Sequence, residues 1–253
     1  TSNVVIAISS SATGEATVSP TSLTFTPANW DTAQTVTITG VNDNNVGNHT
    51  ATITATINDG SSANEFDPLA NQTVAVTLTD DDTASIVIDP TAITTTGLTI
   101  AENGGTGTFN VKLGSQPLTD VVIKFTSDDT DEATVTSSLT FTNANWNTNQ
   151  TITVTAVNDA IDRDDEATIT IAVDDANSDD TYDAVADATA AITITDDDSA
   201  GFTLSKTTST VAENAGTDTF TIELDSEPTS NVVIAISSSA TGEATVSPTS
   251  LTF

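Results

Sequence analysis

The sequence contains no cysteine and no methionine, and only four lysine and arginine residues stand against 36 aspartate and glutamate residues. Without cysteine there are no disulfides and no thiol chemistry, so a core, metal ions or assembly must hold the fold together. The formal net charge of −32 repels nucleic-acid phosphate and anionic lipid, and a basic stripe is absent. We therefore expect no nucleic-acid partner.

Long hydrophobic runs are also missing. Stretches such as Val4 to Ile8 are too short to cross a membrane, so we expect no membrane insertion. Aromatic residues make up only 4% of the chain, and His49 is its single histidine, which we interpret as an exposed loop residue. A glycosidase would need two carboxylates in a cleft, one with a raised pKa, and no cleft is indicated. We predict that the chain is not an enzyme.

The strongest positive feature is an internal repeat. Residues 1–25 and 229–253 are identical, and a weaker copy of the same segment begins at Asp120. Two related modules of about 115 residues therefore alternate. Acidic runs that end at Asp82 and Asp198 mark the boundaries and predict three pieces. Residues 1–82 are the later part of a module without its opening strands, 83–198 a complete module, and 199–253 the opening part of the next module.

The complete module alternates apolar and polar residues with the period of two that is typical of β-strands. The predicted strands are 84–89, 106–113, 120–126, 133–136, 150–157, 167–173 and 188–195. About seven short strands in such a length predict an all-β, immunoglobulin-like sandwich, repeated in a linear array. Trp30 and Trp146 stand in matching FTPANW and FTNANW segments, and we interpret both as core residues between the sheets.

Carboxylates gather in the loops between these strands. Two of them about 4 Å apart repel by roughly 4 kcal/mol at an effective dielectric constant near 20. The loops must therefore separate, take up protons or bind cations, and calcium suits them because it prefers about 6–8 oxygen ligands from flexible loops. Adaptation to high salt and simple turn formation by aspartate are the alternatives.

The segments AENGGTGTFNVKL, NWNTNQTITVTAVNDAIDRDDEATITI and ITDDD resemble a Calx-beta domain, with one whole module and two partial ones. The resemblance implies a β-sandwich that binds calcium at one tip, through an early glutamate, a central aspartate, an acidic loop and the closing aspartates. The implied ligands are Glu102, Asp128, Asp129, Asp162, Asp164, Asp165, Asp196, Asp197 and Asp198.

The alternate module departs from this pattern. Its implied ligands are Glu213 in the opening part and Asp43, Asp80, Asp81 and Asp82 in the later part. Val46, Asn48 and His49 occupy the places of Asp162, Asp164 and Asp165. We therefore predict unequal calcium sites in alternate modules.

Together these features favour a structural stalk or fibre segment of a secreted or cell-surface protein, stiffened by calcium at module tips and junctions. Its partners would be neighbouring copies of the same repeat. One alternative is an extracellular filament in which residues 199–253 of one copy complete residues 1–82 of the next by strand pairing. A second is a calcium-dependent adhesin module that binds carbohydrate or cells. Asn48, Asn71 and Asn149 lie in N-x-Thr sequons, so glycan modification is a further expectation.

Overall fold

A computed structural model describes residues 2–253, and its elements are strands, short helical turns and loops. The first group of strands lies within residues 2–82. They are β1 (Val4–Ser10), β2 (Ala16–Ser19), β3 (Ser22–Phe25), β4 (Thr37–Gly40), β5 (His49–Ile57) and β6 (Gln72–Leu78), with a 3-10 helix at Asp59–Ser61.

The second group forms the middle of the chain. Its strands are β7 (Ile86–Asp89), β8 (Leu98–Ala101), β9 (Thr106–Leu113), β10 (Val121–Ser127), β11 (Ala133–Val135), β12 (Ser138–Phe141), β13 (Gln150–Ala156), β14 (Asp165–Val173) and β15 (Ala188–Thr195). The helical turns are α1 (Ile93–Thr96) and 3-10 helices at Asp175–Asn177 and Asp180–Tyr182. Four short strands follow: β16 (Phe202–Leu204), β17 (Ile222–Leu224), β18 (Val233–Ala235) and β19 (Ser250–Thr252).

The middle strands make a two-layer sandwich. One sheet has the order β12-β10-β14-β15-β8 and the other has the order β11-β13-β9-β7. Strand β14 shows how the sequence produces the layers, because its alternate residues Ala167, Ile169 and Ile171 are buried while the residues between them face outward. Phe109 and Phe125 meet edge to face across the core, with ring centroids 6.2 Å apart.

Strand β8 pairs with β15 in parallel, whereas the other pairs in this sandwich are antiparallel. Gly97 makes this pairing possible at the start of β8. Its φ is +75°, and a Cβ there would come within 2.6 Å of the Ala191 carbonyl oxygen. The parallel pair matters for the site below because the carboxyl ends of both strands meet at one edge of the sheet.

Residues 2–82 repeat half of this architecture. The sheet β3-β1-β5-β6 corresponds to β12-β10-β14-β15, and the pair β2-β4 corresponds to β11-β13. No strand of residues 2–253 pairs with the outer edge of β6, and β4 pairs only with β2. Part of the inner face of this sheet is therefore open.

The four short strands of residues 199–253 form two separate hairpins. Phe202 pairs with Leu224 in β16-β17, as Ile86 pairs with Leu113 in β7-β9. Val233 pairs with Thr252 in β18-β19, which is the register of the identical residues Val5 and Thr24 in β1-β3. Local sequence alone is thus enough to fix the register of each hairpin.

The all-β, immunoglobulin-like sandwich predicted from the sequence is confirmed. The prediction missed β8 and β12, which are only four residues long each. Trp146 is half-buried against the core, as predicted, but the core assignment of Trp30 was wrong, because its side chain is 72% exposed on the open face. None of the helices in the part of the chain that the structure describes is long and apolar enough to span a membrane.

Candidate metal centre

Glu102, Asp196 and Asp198 form the tip cluster at one end of the middle sandwich. One carboxylate oxygen from each residue lies within 4.8 Å of the others. Glu102 directly follows β8, and the aspartates directly follow β15, so the parallel pairing of these strands brings them together. The Glu102 amide donates to the Thr195 carbonyl oxygen at 2.9 Å, which continues the ladder into the cluster.

Glu102 is the most constrained member of the tip cluster. Its side chain is 2% exposed, and one carboxylate oxygen accepts a hydrogen bond from the Asp159 backbone amide. The other oxygen, Oε2, is buried and has no hydrogen-bond partner among residues 2–253. A buried carboxylate oxygen beside two further carboxylates costs free energy unless a proton or a cation lies between them.

The titration of Glu102 reflects this environment. The hydrogen bond from the Asp159 amide lowers the pKa, but burial and the negative charges of Asp159 and Asp196 outweigh it, so the pKa is raised above its ordinary value. Partial desolvation, followed by repulsion from Asp196 and Asp197, also raises the pKa of Asp198. Both shifts indicate a place where negative charge is poorly compensated by the protein itself.

A second group, the loop cluster, lies beside the first. It consists of Glu132, Asp159 and Asp165, again with one oxygen from each within 4.8 Å of the others. Asp159 links the two clusters, since its amide binds Glu102 while its side chain belongs to the loop cluster. Arg163 pairs with Asp165 and lies 4.0 Å from Glu132, so part of this charge is already neutralised.

The remaining predicted ligands of this module accept hydrogen bonds from backbone amides or, for Asp197, from a side chain. The Asp128 carboxylate accepts from the Thr168 amide at 2.6 Å, and the Asp129 carboxylate accepts from the Asp131 amide at 3.0 Å. Asp164 accepts from the Asp196 amide, and Asp197 accepts from the Asn103 side chain. Asp162 accepts from the Ala200 amide at 2.6 Å. These contacts orient the loops, and their role as ligands stays a prediction.

The equivalent positions in residues 2–82 form a related arrangement that contains fewer acidic residues. Asp80, Asp81 and Asp82 cluster after β6, and Asn48 takes the place of Asp164 in binding the Asp80 amide at 2.9 Å. Asp43 groups with Glu15 and His49. The Nε2 atom of His49 lies 3.7 Å from the Asp43 carboxylate, and its Nδ1 atom lies 3.2 Å from the Glu15 carboxylate. His49, predicted to be a simple exposed loop residue, is instead half-buried between two acids.

Glu213 is the one predicted ligand that the structure leaves isolated. It is exposed and belongs to none of the metal-type clusters found among residues 2–253. Its counterpart Glu102 is buried because β8 pairs with β15, and no such pairing exists around Glu213.

Sequence reasoning missed Glu132 and Glu15 and left Asp159 out of the ligand set. The indication was present, because both modules carry glutamate before an ATV strand and both carry VND before the acidic loop. Aligning the two copies position by position would have paired Glu15 with Glu132 and Asp43 with Asp159.

The residues of the tip cluster fit a hard divalent cation. They offer carboxylate oxygens, and calcium accepts such ligands in irregular numbers from flexible loops. The unpartnered Oε2 of Glu102 is the observation that favours an ion over simple solvation. With calcium bound, the repulsion that raises these pKa values would become attraction to the metal.

We expect the calcium-free sandwich to become more stable as the pH falls toward the ordinary glutamate pKa of 4.5. The raised pKa values of Glu102, Glu132 and Asp198 mean that the folded state binds these protons more tightly than the unfolded state. Below the ordinary aspartate value of 3.8 the trend reverses, because the lowered pKa values of Asp128 and Asp174 favour the folded state only when these groups are ionised.

The measurement is a series of denaturant midpoints with chelator, repeated in saturating calcium. In calcium the gain at lower pH should shrink or invert, because protons compete with the ion for the same oxygens. A calcium-free stability that only declines from neutral pH downward would contradict the assignment.

Comparisons with known proteins give structural similarity only. No family model matches the sequence, and no curated protein matches it. Among solved structures, domains 1–6 of the surface layer protein SbsC align over 91% of this chain and 25% of that chain, at 16% identity and a TM-score of 0.37. This chain thus spans about a quarter of that surface-layer chain.

Two further structures are similar. The apo-form Calx CBD1 domain aligns over 46% of this chain and all of its own length, at 16% identity and a TM-score of 0.34. The D0-D1 domain of intimin aligns over 77% of this chain and 83% of its own length, at 19% identity and a TM-score of 0.29.

Proposed function

We propose that this chain is a structural repeat segment of a secreted or cell-surface protein, in which calcium at the tip of the middle sandwich stiffens the junction to the next module. The Calx-beta resemblance of its motifs supports this function. Extracellular calcium is abundant enough to fill even weak sites of this kind.

The observation that carries the proposal is the buried, unpartnered Oε2 of Glu102, a residue that clusters with Asp196 and Asp198. These aspartates belong to the segment that leads from β15 into the following residues 199–253. An ion held between Glu102 and this segment would fix the direction in which the chain leaves the sandwich. Calcium would in this way act on the geometry of the array as well as on the fold of one module.

Equivalent backbone contacts at the two junctions support a regular array. The Gln116 amide donates to the Asn44 carbonyl oxygen at 2.7 Å, and the Glu227 amide donates to the Ala160 carbonyl oxygen at 2.6 Å. Asn44 and Ala160 occupy the same place in their loops, and Gln116 and Glu227 follow equivalent strands. A repeat unit that meets its neighbour through the same bond each time builds a linear structure.

The junctions nevertheless differ in charge. At the second junction, after Asp198, the Asp162 carboxylate accepts a hydrogen bond from the Ala200 amide. At the first junction, after Asp82, Val46 stands at the position that matches Asp162. Calcium is therefore proposed to stiffen alternate junctions unequally, with the stronger effect between residues 83–198 and 199–253.

Small-angle scattering tests this function directly. With calcium the maximum dimension of the chain should become better defined and its distance distribution narrower than with chelator, because a clamped junction samples fewer angles. The Glu102→Gln variant should give the chelator profile under both conditions, while Glu213→Gln, at an exposed matching position, should behave like the wild type. Identical profiles of the wild-type chain with and without calcium would contradict the proposal.

A further inference from the structure

The Arg163 guanidinium brings a positive charge into the loop cluster, which consists of Glu132, Asp159 and Asp165. Its Nε atom donates to the Asp165 carboxylate at 2.7 Å, and one terminal nitrogen, Nη2, contacts the same carboxylate. Nη2 also lies 4.0 Å from a Glu132 carboxylate oxygen. One charged nitrogen is thus placed between two of the three carboxylates, where a metal ion of this cluster would have to lie.

The loop cluster needs a cation because its carboxylates are shielded from water and held in place. The side chains of Asp165 and Glu132 are only 8% and 17% exposed. Asp165 begins β14 and pairs with Ile194 of β15, and the Asp159 carboxylate accepts from the Ile161 amide at 2.7 Å. These groups are not free to separate as carboxylates on an unpaired loop are, so their charge has to be compensated where they are.

The guanidinium supplies this compensation without an ion from solution. Its charge is permanent, and its fork of N–H donors matches carboxylate oxygens. Calcium would need about 6–8 oxygen ligands around one point. Arg163 already occupies the Asp165 carboxylate and places positive charge near Glu132, so it would repel a second cation at the same position.

The matching cluster of residues 2–82 lacks both partners of this ion pair. Gly47 stands in the place of Arg163, and His49 stands in the place of Asp165. The other two acids of the cluster are retained. With the imidazole neutral, both clusters carry the same formal charge of −2. The arginine and the third carboxylate are present together in one module and absent together in the other, as expected when one compensates the other.

We propose that Arg163 takes the place of a calcium ion in the loop cluster, so that this cluster of the wild-type chain is closed to calcium. Asp165, which the Calx-beta resemblance implies as a calcium ligand, is then the partner of Arg163 instead. The inference goes beyond the calcium proposed for the tip cluster and stands whether or not an ion binds there.

The consequence concerns the junction after Asp198. Asp164 and Asp162, in the same loop as Arg163, accept hydrogen bonds from the Asp196 and Ala200 amides. A loop held by its own guanidinium keeps these two contacts in chelator. The junction would therefore have one part that the protein fixes by itself and one part that calcium fixes at the tip cluster.

The test counts calcium ions by titration calorimetry in a Glu102→Gln chain, in which the tip cluster has lost a carboxylate. Adding Arg163→Gln should raise the number of bound calcium ions by one, because three uncompensated carboxylates then form an open site. Glu132→Gln should leave the number unchanged while Arg163 is present and should remove the added ion when Arg163 is replaced. Sites in residues 2–82 contribute equally to all these variants, so the differences report the loop cluster.

Lys124→Gln is the matched control. Lys124 is 54% exposed and pairs with Asp174 at 2.8 Å, whereas Arg163 is 55% exposed and pairs with Asp165. The two acids lie at opposite ends of β14, so each substitution removes one positive charge from a similar ion pair. Lys124→Gln should add no calcium ion. An equal rise in both variants would indicate general attraction of calcium to a more negative chain and would overturn the proposal.

Denaturant midpoints of the same chains give a second readout. In chelator Arg163→Gln should lower the midpoint of the middle sandwich, and saturating calcium should restore most of the loss, because the ion replaces the guanidinium. Arg163→Lys keeps the charge and should bind no additional calcium. A midpoint that stays equally low in calcium would mean that Arg163 supports the loop only as a structural residue, and this would overturn the proposal.

Two further results would also overturn it. One is an Arg163→Gln chain that binds no additional ion, and the other is a loss of one bound ion on Glu132→Gln while Arg163 is present. The calcium function of the tip cluster is tested separately, by comparing Glu102→Gln with the wild type. Either proposal can therefore fail while the other stands.

Discussion

Replacing Phe109 by alanine should lower the free energy of unfolding of the middle sandwich by about 3–5 kcal/mol, whereas the same change at Phe220 should alter stability by less than about 0.5 kcal/mol in dilute solution. The two residues stand in nearly the same local sequence, GTGTFNVKL and GTDTFTIEL. Phe109 is 1% exposed and contacts Phe125 edge to face, while Phe220 is 42% exposed. The difference in cost therefore measures tertiary packing and not local strand preference.

Denaturant unfolding followed by Trp146 fluorescence, in a Trp30→Phe background, reports this comparison. Trp146 packs against the core of the middle sandwich, so its transition isolates that unit within a chain that has several structural units. Equal losses from Phe109→Ala and Phe220→Ala would show that residues 199–225 pack against the middle sandwich. A small loss from Phe109→Ala would contradict the sandwich core itself.

Much of the fold was accessible from sequence because one physical constraint is repeated throughout. A strand with one buried face must alternate apolar and polar residues, as Ala167, Ile169 and Ile171 do in β14. Strands of seven or more residues show that period clearly. The short strands β8 and β12 also alternate, but over only four residues the pattern does not identify a strand, and β8 depends on the backbone conformation of Gly97 and on its distant partner β15. A long-range pairing of this kind leaves little trace in local sequence.

The candidate metal site, like the fold, was predictable from the sequence only in part. Glu102, Asp196 and Asp198 are ligands that the Calx-beta resemblance implies, and the structure brings these three together. Asp128 and Asp129 are implied by the same resemblance, yet their carboxylates accept hydrogen bonds from the Thr168 and Asp131 amides. Asp and Asn side chains serve turns and ligands equally well, so spacing alone does not separate the two roles.

The exposure of Trp30 shows a different limit. FTPANW and FTNANW encode the same local turn, in which Asn29 and Asn145 accept from the backbone of Thr26 and Thr142 at 2.5 and 2.6 Å. The turn forms identically in both modules, but whether the tryptophan is covered depends on strands that precede it by about 40 residues in the complete module. Burial is a property of the assembled sandwich and not of the segment.

Replacing Glu102 by glutamine should have opposite effects with and without calcium. Without calcium the variant should be as stable as the wild type or more stable, because the amide replaces a poorly compensated carboxylate. The hydrogen bond from the Asp159 amide lowers the pKa of this carboxylate, but burial and neighbouring negative charges raise it further. With calcium the wild type should gain about 2.7 kcal/mol at a concentration 100 times the Kd. For a unit of this size that corresponds to a rise in Tm of about 10 °C, and Glu102→Gln should lose most of it.

Calorimetric scans of both proteins in chelator, calcium and magnesium measure these effects, with Glu213→Gln as the matched control at an exposed position of the same AEN motif. A gain that magnesium reproduces would indicate general screening of a highly acidic chain. A variant destabilised equally in chelator and in calcium would mean that Glu102 supports the fold through its hydrogen bond to Asp159 alone. Only an ion held by Glu102 predicts that Glu102→Gln leaves stability unchanged or raises it without calcium and lowers it strongly in calcium. The buried carboxylate oxygen costs free energy when it has no partner, and it becomes a ligand when the ion is bound.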